Sequence, residues 1–205
     1  MSEVKLAGLL LIIGSSLFII SAFAMPNVAK IYMEPSVEGR LAIVRNFSTG
    51  WTVHNVLFIL GSTLTAVSLV YLVTKSGLAA VGNLWLMAGA VLVLVAVIPW
   101  DWHLVLRLSE PDGFARNIFP GWLFVSFTLL MLVGLGSLGI GMLSTPFPGW
   151  LGWTHIIGAV VLIILSIVFR DMPPFVYYIF TLITGILCLQ EGFLAELAAG
   201  NAPLP

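Results

Sequence analysis

The stretch LAGLLLIIGSSLFIISAFAM, residues 6–25, contains no charged residue and no proline. A helix needs about 20 such residues to cross the roughly 30 Å hydrocarbon core of a bilayer. Five further apolar runs follow, at 53–73, 78–99, 122–143, 151–169 and 175–193. Lipid offers no partners for backbone N–H and C=O groups, so a helix, which pairs them internally, is the expected form of each run. The runs are continuous and do not alternate as barrel strands would. The chain therefore reads as all-α: a polytopic membrane protein, one domain over 1–205, built as a bundle of six transmembrane helices.

Composition agrees. Hydrophobic residues make up 60% of the chain and charged residues 8%, against about 25% charged in soluble domains. Net charge is −1, so nucleic-acid binding has no electrostatic support. The single cysteine, Cys188, rules out an intrachain disulfide and any cysteine-pair metal or redox motif. Lys5, the apolar run after it and Ala22-Phe23-Ala24 imitate a cleavable signal peptide. The weakly charged start and spanning length of 6–25 favour a retained helix.

Six spans place both termini on one side, here side A. Side B then carries connections 26–52, 100–121 and 170–174. Trp51, Trp100, Trp102 and Trp122 fall at side B ends, and Trp85, Trp150 and Trp153 near side A ends, as interfacial belts would. Side B holds Lys30, Arg40, Arg45, Arg107, Arg116 and Arg170, and side A only Lys5 and Lys75. The positive-inside rule then puts side B in the cytoplasm and the termini outside. Within 26–52, Pro35 and Ser36 precede Val37, Leu41, Val44 and Phe47 at helical spacing. This predicts a short amphipathic interfacial helix near 36–47.

Small residues recur every seven positions at Gly8, Ser15 and Ala22 and at Gly82, Gly89 and Ala96, with a third stripe at Gly134, Ser137 and Gly141. Such stripes permit close helix approach, within the chain or in a homo-oligomer or partner complex. Gly50-Trp51-Thr52 before His54 and Gly152-Trp153-Thr154 before His155 form a faint repeat three spans apart, which coincidence accounts for better than homology.

Polar residues inside spans are the candidate site residues, since they normally face protein or a cavity. Tyr177, Thr181, Thr184, Cys188 and Glu191 lie on one face of the last span, and His54, Gly61, Thr65 and Ser68 on one face of the second. If these faces meet, with His155 near Glu191, they line a polar strip between spans two, five and six. Hydroxyls bonded to their own backbone and merely packed are the plainer alternative. Asp101, His103 and His54 are metal-ligand candidates without a spacing signature. An interfacial corner with Asp101 paired to Arg107 or Arg170 is preferred. His54 with His103 could only approximate a bis-histidine haem site. Gly134, Gly136 and Gly139 spell G-x-G-x-x-G inside a span, not after a strand, so the dinucleotide reading fails. No catalytic residue is assigned and no cofactor is required. No span as bounded here holds a central Asp, Glu, Lys or Arg, which argues against a proton pump.

The segments Lys5-Leu6-Ala7-Gly8-Leu9-Leu10, Gly39-Arg40-Leu41-Ala42-Ile43-Val44 and Val70-Tyr71-Leu72-Val73 resemble the layout of small bacterial six-helix membrane proteins of unknown function. The resemblance covers about the first third of the chain. It implies a bacterial inner-membrane protein and transfers no site residue. Two function classes remain: a non-enzymatic membrane subunit or binder of a small lipophilic ligand, which leads, and a small-solute transporter or membrane-embedded enzyme using the polar strip.

Overall fold

A computed structural model describes residues 2–75, 84–169 and 172–190, and among them only helices and turns. In chain order these are α1 (Glu3–Ala24), α2 (Pro26–Ala29), a 3-10 turn (Lys30–Tyr32), α3 (Val37–Asn46), α4 (Ser48–Lys75), α5 (Leu84–Ser109), α6 (Pro111–Ala115), α7 (Gly121–Met142), α8 (Gly149–Phe169) and α9 (Phe175–Leu187). The helices α1, α4, α5, α7 and α8 are long and apolar enough to cross a membrane. The sixth apolar helix, α9, has 13 residues.

The six apolar helices pack in the order α9, α1, α4, α5, α7, α8, with lighter contact between α8 and α9. Glycines set how closely they approach. A methyl group at Gly61 would lie 2.6 Å from the backbone nitrogen of Phe18 and 2.9 Å from the Gly14 carbonyl oxygen. Gly89 and Gly134 bring α5 and α7 together in the same way, and Gly139 and Gly152 bring α7 onto α8. Gly8 lies against Cys188 and Gly185, at the α1–α9 contact. The small-residue stripes are thus covered within one chain. Gly82, which the sequence placed in one of them, lies outside the described residues.

The bundle interior is filled by rings. Phe18 stacks on Tyr178 with centroids 3.7 Å apart, and Phe58, Trp100 and Phe127 extend the cluster. Aliphatic side chains such as Ile157, Ile164 and Ile167 on α8 point outward, as a lipid-facing surface requires.

Two expectations need correction. The third span was bounded at Pro99 and residues 100–121 assigned to a side B loop. Instead α5 continues through Pro99 to Ser109, carrying Asp101, His103 and Arg107 within the helix. Proline removes one backbone donor, yet a helix held by neighbours tolerates it. The tryptophan belt is also incomplete. Trp85, Trp102, Trp122, Trp150 and Trp153 are exposed, but Trp51 and Trp100 are buried.

Helix α3 forms where the amphipathic pattern lies. Ser36 caps it, its hydroxyl accepting from the Gly39 N–H at 3.0 Å. Glu34 in turn accepts from the Ser36 hydroxyl at 2.6 Å and the Ser36 N–H at 3.0 Å. These bonds to the charged form hold its carboxyl below the ordinary 4.5. Of the apolar stripe only Val44 is buried. It joins Val28, Ile31 and Trp51 in a second small core, with Met25, Ile43 and Phe114 against it.

The glycine contacts give a direct test. Gly61→Val and Gly89→Val each drive side-chain atoms into facing backbone and are expected to destabilise by about 3 kcal/mol. Gly121→Ala, with open space at its Cβ, should leave thermal unfolding in detergent unchanged.

Candidate functional site at one end of the bundle

The polar faces of α4 and α9 do not line one strip. Each packs against α1, which is wedged between them. On the α9 side, the Ser15 hydroxyl lies 2.7 Å from that of Thr181, which donates to the Tyr178 carbonyl. On the α4 side, Thr65 packs against Gly14, and Ser68 donates to its own helix at the Leu64 carbonyl. His155 is buried on α8, its Nδ1–H donating to the Leu151 carbonyl at 3.0 Å. Its Nε2 lies 3.3 Å from the Thr184 hydroxyl, which also donates to the Phe180 carbonyl. Tyr177 is fully buried. Glu191, together with Arg170 and Asp171, lies outside the described residues. The structure therefore brings His155 to Thr184 and Ser15 to Thr181, and leaves His54, Thr65 and Ser68 elsewhere.

Asp101 lies inside α5, not in a loop, and the pairing to Arg170 anticipated for it falls outside the described residues. Its two oxygens accept from the Ser62 and Thr63 hydroxyls, both at 2.8 Å. Those hydroxyls stand near the midpoint of α4, which has 28 residues. A half-buried carboxylate thus sits against the middle of α4, where Thr63 is exposed, contrary to the absence of central charge inferred from the shorter span. It is paired neither to Arg107 nor to a second ligand residue. Among the described residues no group of three or more His, Cys, Asp or Glu side chains converges on one point. The grouping of Asp101, His103 and His54 is accordingly not assembled. The reason is geometric: Asp101 faces α4, while His103 and Arg107 lie two and six positions further along α5 and turn elsewhere.

The denser polar cluster lies at the side B end, around Arg107. Arg107 is 5% exposed. Its Cζ sits 4.3 Å from the Phe114 ring centroid, 5.6 Å from that of Trp100 and 5.7 Å from that of Tyr32, within cation–π range. Nη1 donates to the Tyr32 hydroxyl oxygen at 3.0 Å. That oxygen is 3.0 Å from His54 Nε2. His54 Nδ1 donates to the Ser21 carbonyl at 2.8 Å, so Nε2 accepts from Tyr32 in the neutral ring. The Ser21 hydroxyl returns a bond to the His54 carbonyl at 2.7 Å, and the Trp51 indole donates to the Arg107 carbonyl at 3.0 Å. The chain of bonds runs from α5 through the 3-10 turn to α4 and α1, and the second small core lies beside it.

Sequence reading missed Arg107, Tyr32 and Trp100 as members of a site. The available signal was the spacing of Trp100, His103 and Arg107 by three and four, one helical face. Ending the helix at Pro99 hid it. Nearby, Met25, Asn27, Val28, Asn46, Phe47 and Thr49 line an open cleft of about 300 Å³. Comparison with protein-family models, with curated proteins and with solved structures finds no match.

The Asp101 geometry predicts a pair of opposite results. Asp101→Asn can keep both hydroxyl contacts without burying a charge, so its thermal unfolding temperature should equal or exceed that of the wild type. The double variant Ser62→Ala/Thr63→Val strands the carboxylate and should lower stability by about 1–3 kcal/mol.

Proposed function

We propose that the chain is a non-enzymatic, six-span membrane protein that binds a small lipophilic ligand at its side B end. The observation that carries this reading is the second small core of Val28, Ile31, Val44 and Trp51. It lies outside the bundle, beside a buried polar cluster that packing alone does not require. An open cleft on the same side supports it further. Along the through-membrane strip that a transporter would use, Ser15, Ser68, His155, Thr181 and Thr184 bond to one another or to their own helices.

In this reading α9 is the sixth span. Its contacts follow α1 from Phe23 against Phe175 to Gly8 against Cys188, most of the length of α1. The helix α3 rests at the interface, with Leu41 and Ile43 half-buried and Glu38 and Arg45 exposed. The protein sits in a bacterial-type inner membrane with its termini extracytoplasmic, on the balance of lysine and arginine.

Two experiments test this. Native mass spectrometry of the delipidated chain is expected to show one retained amphiphile of defined mass, and a bare chain from repeated preparations would overturn the binding function. A reporter fused after Pro205 that is active only in the cytoplasm should stay silent, and activity would reverse the orientation.

A further inference from the structure

Arg107, His103 and Trp100 present the same unmet need. Arg107 Nε, His103 Nδ1 and Trp100 Nε1 are all buried and have no hydrogen-bond partner in the protein. Two of these are obligate donors, and the third donates in one tautomer. They come from positions 100, 103 and 107 of α5, one face of one helix. The stacking of Trp100 on His103, with centroids 6.1 Å apart, keeps them together. Among the described residues the one ion pair joins Arg45 and Asp112 on the surface, so Arg107 is a buried cation without a carboxylate. The oxygen that serves it is the hydroxyl of Tyr32, a neutral acceptor on a short 3-10 turn whose side is half exposed.

A buried charge is ordinarily paired, and a buried donor ordinarily bonded. On this face of α5 the surplus is of one kind, positive charge and N–H groups; the buried acceptor without a partner nearest in sequence to the cluster, Asn55 Oδ1, belongs to α4 beside His54. Aromatic faces at Phe114, Trp100 and Tyr32 hold the guanidinium in place without neutralising it. We infer that this end of the bundle is an anion-binding site: Arg107, Trp100 and His103 take an anionic phosphate or carboxylate oxygen, which displaces the Tyr32 hydroxyl. The inference rests on the ligand-binding function proposed above and adds the charge class of the ligand. A guanidinium fork matches such groups bidentately. Tyr32 then acts as a stand-in acceptor, swinging with its turn when the anion arrives, while His54 keeps its bond to the Ser21 carbonyl.

The test is thermal unfolding of the whole chain in phosphatidylcholine nanodiscs. Three probes are added separately: phosphatidate, diacylglycerol with the same tails, and inorganic phosphate. Phosphatidate is expected to raise the unfolding temperature by about 5 °C near saturation, and diacylglycerol to leave it unchanged. Arg107→Met should abolish the rise, and Arg107→Lys should weaken apparent affinity about tenfold. Trp100→Phe, which keeps the ring and loses the N–H, should weaken it about fivefold. Tyr32→Phe should strengthen it by a similar factor, because the competing hydroxyl is gone. If Arg107→Met does not fold, these last two opposite shifts decide the matter. An equal rise with inorganic phosphate would keep the anion site and overturn the lipophilic ligand. An equal rise with diacylglycerol that survives Arg107→Met would keep the lipophilic ligand and overturn the anion site. No rise with any probe would overturn both.

Discussion

Helices in lipid gain nothing by hiding leucine from leucine-like tails, so contact distance governs which of them associate. In this protein that distance is set by glycine against backbone. Gly14 and Gly61 let α1 and α4 meet at the main chain, and Gly89 and Gly134 do the same for α5 and α7. Everything polar in the bundle is positioned by these approaches. Once α1 is pressed onto α4 through Gly61 and onto α9 through Gly8, Ser15 faces Thr181 and Ser21 faces His54. A wider spacing would leave each of those groups in hydrocarbon without a partner.

The two ends of the molecule obey different rules. Through its middle the bundle is filled by rings, and Ser15, Ser62, Ser68, Ser137, Thr181 and Thr184 bond within the same helix or to the next. Asp101 is the exception, and two hydroxyls of α4 satisfy it. At side B short elements replace long ones. There α2, the 3-10 turn, α3 and α6 build a small core of their own, next to Arg107 and its aromatic neighbours. The cationic cluster is therefore neither in lipid nor in water, the setting in which electrostatic selectivity is strongest.

How much of this was legible beforehand differs by element. The run at residues 6–25 announced α1 by length alone, and Ser36 before the Val37 stripe announced α3 and its cap. Pro99 misled, because a rule drawn from isolated helices ended α5 ten residues early. That one boundary moved Asp101, His103 and Arg107 from helix to loop and concealed their shared face. Tryptophan misled too. Trp51 and Trp100 have the composition and position of belt residues, yet both are buried, and burial depends on what packs beside them. The spacing of polar residues names one face on α4 and one on α9, but nothing in either helix says that α1 comes between.

Sequence by itself determined that the chain forms helices long and apolar enough to cross a membrane, because hydrocarbon leaves the backbone no alternative and 8% charge leaves little water-facing shell. It also determined where small residues would allow close approach. Only the tertiary structure decided which helix each stripe meets, and that Arg107, Trp100, His103, Tyr32 and His54 share one end of the bundle. The physical reason is that periodicity names a face but not its partner. The partner follows from ångström-scale fit between glycines on different helices, which no single segment contains.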